Sequence, residues 1–280
     1  MAKIVVITHE HDMLYHRKLL RGTSGAYMIC AVMEELQRRG HSWVVAAGSG
    51  AKLNGDAAVL HVDTTTTDRA YIEYVEKFAF CLNIGATDIS KRRISEALVK
   101  SGDGWDGPVI VKTDLNHGGL PEESINRRAE RSGARTPFPN VQALKEYKVF
   151  ESLGHVQQAQ VDDDRLVIER FLPEQTHDGY ALRHWLFCGD YDFCRRFVSK
   201  ERLVKGAGMF RSEPSPIPDD LRTRRRELGF DYGKFDFAIY DGKSYLLDAN
   251  KTPGNIPSSG DTASIAGLAD GFEGLLRTMI

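Results

Sequence analysis

The sequence predicts an α/β fold, with a small parallel α/β layer at the N-terminus and antiparallel hairpins behind it. Three observations carry the prediction. Up to Lys77, short apolar strands and helical stretches follow one another as strand, helix, strand, strand, helix. Further on, two apolar runs break at turn residues, Gly189-Asp190 and Asp241-Gly242, as hairpins do. The last stretch, Thr262 to Thr278, carries Ile265, Leu268, Phe272, Leu275 and Leu276 at helical spacing.

Composition sets the bounds. The chain has 280 residues, enough for two domains or one large composite one. It is 41% hydrophobic and 27% charged, with a net charge of -2 and its Lys and Arg scattered. That balance argues against a dedicated nucleic-acid or membrane-surface binder. No run reaches the length of a membrane span, and Met1 to Thr8 reads as a strand, not a signal peptide. Cys30, Cys81, Cys188 and Cys194 show no C-x-x-C spacing, and four reduced thiols fit a cytoplasmic protein.

Lys3 to Thr8 is a buried strand. Gly22-Thr23-Ser24-Gly25 opens a helix that runs to Arg39 and stops at Gly40. This loop lacks G-x-G-x-x-G, so no dinucleotide fingerprint is present. Its Ser24-Gly25 end serves either as a plain cap or as a seat for a substrate carboxylate. Trp43 to Ala47 and Ala57 to Val62 are strands, Asp68 to Lys77 a helix, and Phe80 to Asn83 another short apolar run. His9, His11 and His61 lie at strand ends, where open sheets face ligand crevices. They are too few for a zinc site and read as solvated, although His61 and Asp63 are placed to line a pocket.

Ser90 caps a helix expected to reach about Lys100, with Lys91, Arg92 and Arg93 in its first turn. Positive charge there opposes the helix dipole. Lys91 is therefore either a phosphate contact or part of a solvated basic turn. Pro108 to Thr113 is an apolar strand with Lys112 near its end, and that ammonium must reach solvent or an anion. Pro121 to Asn140 is charged and punctuated by proline, and reads as irregular. Leu166 to Phe171 is a strand, and Tyr180 to Val198 a hairpin. Lys200 to Pro218 reads as a mobile loop, with Lys205 or Arg211 able to close over a ligand. Asp219 to Leu228 is an exposed helix.

The stretch Phe235 to Gly254, FDFAIYDGKSYLLDANKTPG, is the most informative. A three-residue loop, Tyr240 to Gly242 with Gly242 left-handed, would put Phe235, Phe237, Ile239, Tyr245, Leu247 and Ala249 on one apolar face. Asp236, Asp248 and Asn250 would then share the other. Two carboxylates and an amide oxygen suit a hard cation such as Mg²⁺.

Lys112 on its strand, the E-R-F-L strand end at Glu169 to Leu172, Arg183, Asp236, Asp248-x-Asn250 and Pro253-Gly254 together resemble the ATP-grasp superfamily. Closest in pattern are the ribosomal-protein glutamate ligases and D-alanine–D-alanine ligases. The resemblance covers about residues 90 to 260. It implies an N-terminal pre-ATP-grasp α/β domain over 1–88, and a two-subdomain grasp over 89–170 and 171–280, the latter carrying the metal hairpin.

The resemblance also implies roles. Lys112 would contact the α- and β-phosphates, with Lys91 a further phosphate contact. Backbone groups from Glu169 through Arg170 and Phe171 to Leu172 would read the adenine edge. Glu174 or Asp178 would accept from the ribose. Arg183, with Lys112 the catalytic pair, would meet the γ-phosphate or an acyl phosphate. Asp236, Asp248 and Asn250 would hold Mg²⁺ or Mn²⁺ with ATP. Asn116-His117-Gly118-Gly119 resembles a glycine-containing phosphate loop. The implied activity is an ATP- and Mg²⁺-dependent ligase that activates a carboxylate as an acyl phosphate for attack by an amine or other nucleophile. Its partners would be small-molecule or peptide carboxylates and amines, with a homodimer left open. A small-molecule kinase, or a nucleotide-binding protein without turnover, would use the same ATP site.

Overall fold

Ile4 to Thr8 is buried at every position, as befits a strand covered on both faces. In the computed structural model, which describes residues 1–15, 27–100, 102–254 and 262–278, this strand, β1 (Lys3–Thr8), lies inside a parallel sheet. β2 (Ser42–Ala47), β3 (Ala57–Leu60) and β4 (Cys81–Leu82) complete it in the order β2-β1-β3-β4. Side chains of β1 alternate between two cores. Ile4 and Val6 pack with α1 (Met28–Arg38), Val5 and Ile7 with α2 (Arg69–Val75). The Asp68 carboxylate caps α2 by accepting from the Ala70 amide at 2.8 Å. The Gly22–Gly25 helix opening lies outside the described residues.

A second layer is antiparallel, with β5 (Val109–Thr113) between β6 (Lys148–Phe150) and β7 (Leu166–Arg170). Two expectations fail here. The helix foreseen from Ser90 to Lys100 stops after one turn, α3 (Lys91–Ile94), and the Ser90 side chain caps nothing. Beyond it the Val99 amide donates to Ile168 O at 2.9 Å and the Arg170 amide to Ala97 O at 2.6 Å. The open edge of β7 thus takes these residues as extended chain. The reverse error concerns Pro121 to Asn140, most of whose first half is α4 (Leu120–Arg131). Pro121 sits in the first turn, where its missing N–H costs nothing, and Glu122 and Glu123 complement the dipole.

The third sheet is antiparallel, ordered β11-β10-β9-β12-β13, with β8 (Glu174–Thr176) paired to β9. Its strands are β9 (Gly179–Cys188), β10 (Tyr191–Ser199), β11 (Met209–Pro214), β12 (Tyr232–Tyr240) and β13 (Lys243–Asn250). β11 falls inside the stretch expected to be a loop, because its backbone extends the edge of β10. The core of this sheet is aromatic. Phe235 has its ring centroid 5.6 Å from Trp185, 5.1 Å from Phe187 and 5.1 Å from Phe230, each edge-on. α5 (Asp219–Glu227) adds Leu221 to that cluster.

α6 (Thr262–Arg277) lies against α1 and the β9–β10 hairpin, so Leu268 and Phe272 share one core with Ile4 and Met33. Gly271 makes this approach possible, since a Cβ there would stand 1.9 Å from the Cys188 carbonyl oxygen. Asn83 is the second tie. In a left-handed conformation (φ 65°), its Oδ1 accepts from the Asp231 and Tyr232 amides at 3.0 and 2.9 Å. In return, the Asn83 backbone amide donates to the Asp231 carboxylate at 2.7 Å. Among the described residues no helix is long and apolar enough to cross a membrane.

Candidate active site

The hairpin that carries Asp236 and Asp248 brings them to one face, as foreseen, by a different route. Its loop has two residues, since Tyr240 pairs directly with Lys243, and both Asp241 (φ 50°) and Gly242 (φ 75°) are left-handed. That loop alone would have set Asp236 and Asp248 on opposite faces. A β-bulge at Leu247 restores the parity: Phe237 pairs with Leu246, Asp236 with Asp248, and Leu247 has no partner. The core face is therefore Phe235, Phe237, Leu246 and Ala249, all fully buried. Leu246, not Leu247, is the core leucine; Leu247 turns to the cleft.

That cleft lies between the second and third layers. Its charged lining is Lys112, Glu169, Arg170, Arg202, Asp236 and Asp248, set among Ile110, Tyr147, Phe171, Leu172 and Ala238. The Lys112 ammonium finds its anion in Glu169, 2.5 Å away. Lys91 is not solvated. It is buried to the tip with its ammonium on the Asp248 carboxylate. Burial works against the Lys91 charge, but Asp248 outweighs it and holds the ammonium above its usual range. The Asp236 carboxylate stands 3.0 Å from Lys234 Nζ and 3.7 Å from His184 Nε2. Burial pushes its pKa up, while Lys234 and His184 bring it below the ordinary value. The Asn250 Oδ1 accepts from the Thr252 amide at 2.8 Å.

Arg183, Glu174 and Asp178 do not join this group, while the strand end from Glu169 to Leu172 does line the cleft. Arg183 occupies the face of β9 that carries Trp185, because strand alternation gives the cleft side to His184, the register partner of Asp236. The Arg183 guanidinium forks onto Glu174 at 2.8 and 3.0 Å and donates to Ser215 at 2.7 Å. Glu174 also takes Arg196 at 2.9 Å and the Ile239 amide at 3.1 Å, so its carboxylate is fully engaged. Asp178 holds Arg211 at 3.1 Å. In the strand end expected to read adenine, the Arg170 and Phe171 amides already donate to Ala97 and Pro108 carbonyls. Asn116 to Gly119 forms a tight turn docked on the first layer, with the Asn116 amide on Thr65 Oγ1 at 2.8 Å.

Sequence reasoning missed His184, Lys234, Tyr147 and Arg202. The parity of Lys234, two residues before Asp236, was a readable signal. The other three depend on strand register and on a loop crossing over the cleft.

A second polar cluster lies next to Asn250. Tyr27 donates to Asp63 at 2.8 Å and reaches Asp12 at 3.2 Å, while Thr252 Oγ1 donates to Asp63 at 2.6 Å. Lys251, fully buried, donates to Thr67 at 2.6 Å. His9 and His61 are buried too, which overturns their reading as solvated. Neither His61 ring nitrogen has a hydrogen bond, and burial lowers its pKa to about 3. Burial and the neighbouring Asp63 raise Asp12 well above the carboxylate range.

The sign of the Asp12 effect follows from proton binding. Between the ordinary carboxylate range and the raised value, the folded chain holds a proton that the unfolded chain has lost. Asp12 therefore removes stability as pH rises through that window. His61 does the opposite, removing stability as pH falls from 6.5 towards 3. The stability gap between wild type and Asp12→Asn, followed by urea denaturation, should shift against wild type from pH 5 to pH 7.5. A gap that stays constant would contradict this.

Among the described residues no three His, Cys, Asp or Glu side chains converge as a metal group. A hard cation would rest on two carboxylates, the Asn250 amide oxygen and ligands brought by a substrate. The donor set fits that use, because all three are oxygen ligands and Asp236 and Asp248 are direct cross-strand partners.

No protein-family model and no curated protein sequence matches the chain. Solved structures do. The ATP-grasp ligase PsnB, solved with a minimal precursor, is 13% identical, covers 99% of each chain and superposes with a TM-score of 0.52. D-alanine–D-alanine ligase from Bacillus anthracis is 14% identical over 100% of this chain and 98% of its own, with a TM-score of 0.51. A RimK domain ATP-grasp protein from Sphaerobacter thermophilus is 13% identical over 96% and 99%, with a TM-score of 0.52. At these identities the likeness is one of fold.

Proposed function

We propose that this chain, which has the ATP-grasp fold, is an ATP-dependent ligase that joins a carboxylate to an amine through an acyl phosphate. The observation that carries the reading is the cleft itself. Two carboxylates on paired strands share with Lys112 a pocket walled by Ile110, Tyr147, Phe171 and Ala238, and the buried Lys91 ammonium rests on one of them, Asp248. The apolar wall suits a base, and the ionic floor suits a triphosphate.

Lys112 and Lys91 would bind phosphate oxygens and keep them in line with the incoming carboxylate, where positioning and charge stabilisation do most of the work. Asp236, Asp248 and Asn250 would hold Mg²⁺, whose chemistry is to neutralise charge on the transferring phosphoryl group. Arg202, whose guanidinium lies 5.3 Å from the Phe171 ring, would cover the pocket mouth and exclude water. Arg183 would act at one remove, by fixing Glu174 and through it the Ile239 amide of β12.

The γ-phosphoryl group passes to a carboxylate oxygen and ADP leaves. The amine then attacks the acyl carbon, phosphate departs, and the amine loses a proton. The donor and acceptor would be small molecules or peptides.

An ADP-release screen over carboxylates and amines comes first. With the active pair, hydroxylamine should trap a hydroxamate, and oxygen-18 in the carboxylate should appear in the released phosphate. AMP and pyrophosphate as products, or unlabelled phosphate, would refute the acyl-phosphate route. ADP with a stable phosphoester would identify a kinase.

A further inference from the structure

Each of the three groups that would face the metal already has an internal partner, although Asp236 Oδ1 itself accepts no hydrogen bond. Asp248 carries the Lys91 ammonium, Asp236 the Lys234 ammonium at 3.0 Å, and Asn250 Oδ1 the Thr252 amide at 2.8 Å. The lysine that lines the cleft itself, Lys112, is matched by Glu169. The charges of this floor thus cancel in pairs: Lys91 with Asp248, Lys234 with Asp236, Lys112 with Glu169. A divalent cation arriving alone would meet two ammonium groups in contact with its ligands, in a cleft where like charges are poorly screened. The same cation arriving on a polyphosphate brings anions that give the displaced ammonium groups new partners.

We infer that Lys91 and Lys234 act as placeholders that bar free divalent cations from the Asp236–Asp248 face, so that the metal loads only together with the nucleotide. The inference rests on the ATP-site reading above and adds an order of events to it. It also makes the two ligands mutually dependent, since each would raise the affinity of the site for the other. Lys91 is the stronger placeholder, because its side chain is 2% exposed and its charge is little screened by solvent, whereas that of Lys234 is 26% exposed.

The test is Mn²⁺ titration of the full chain without nucleotide, followed by calorimetry and by the electron paramagnetic resonance signal of free Mn²⁺. Wild type should bind no Mn²⁺ at micromolar concentrations. It should acquire a broadened, protein-bound signal only when a non-hydrolysable ATP analogue is added. Lys91→Met and Lys234→Met should each bind Mn²⁺ alone at least about tenfold more tightly than wild type, the gain expected from removing one contacting like charge. Adding Asp248→Asn to Lys91→Met should abolish the gain. Circular dichroism checks folding, and Lys234→Met keeps the test open should the buried Lys91 variant fail to fold.

Equal Mn²⁺ binding by wild type and both folded variants would overturn the inference. So would a wild type that binds Mn²⁺ alone as tightly as with the analogue. No turnover enters the readout, so failure of the ligase chemistry would leave this result standing by itself.

Discussion

Asp248→Asn is expected to lower metal-dependent ATP turnover by about a hundredfold or more, the several kcal/mol that a bound Lewis acid contributes to phosphoryl transfer. The substitution changes charge and hardly changes volume. It also leaves the Lys91 ammonium, buried to its tip, against a neutral amide, and an uncompensated buried charge destabilises a fold. Two effects are therefore expected, lost turnover and a lower melting temperature, and they are separable. Pairing Asp248→Asn with Lys91→Met removes the stranded charge, so thermal stability should recover while turnover stays low. Recovery of both would mean that Asp248 serves only to neutralise Lys91.

Leu246→Ala is expected to cost about 2–5 kcal/mol, as deletion of a fully buried leucine from a packed core does. That is a large fraction of the 5–15 kcal/mol that typically holds a domain together. Leu247→Ala, one residue on, should cost about 1 kcal/mol or less, and its effect should appear in nucleotide affinity, because that side chain lines the cleft. Equilibrium denaturation of both variants decides the register. A hairpin closed by a three-residue loop would exchange the two results.

The same pair of leucines marks what was legible in the sequence and what was not. Strand alternation and the demand for an apolar face were enough to bring Asp236, Asp248 and Asn250 together. The device that does so was not readable, because a two-residue loop plus a bulge and a three-residue loop leave the two aspartates on the same side. Parallel strands β1 to β3 and helix α6 were legible for a different reason, since their patterns are long and local. Arg183 was misplaced because its face depends on β9 pairing with β12, more than fifty residues away. The burial of Lys91 was likewise invisible, for its partner lies 157 positions along the chain. The helix at Leu120 was hidden by reading Pro121 as a breaker when its position made it a starter.

The junction at Asn83 and α6 has a consequence for synthesis. Asn83 receives its partners from Asp231 and Tyr232, 148 and 149 residues later, and the core around Ile4 and Met33 is closed by Leu268 and Phe272. A ribosome extending the chain at about 5–20 residues per second would leave that apolar surface uncovered for roughly ten seconds or longer. During that interval the nascent N-terminal layer is a half-built core, and it is the part of the molecule on which a chaperone would act.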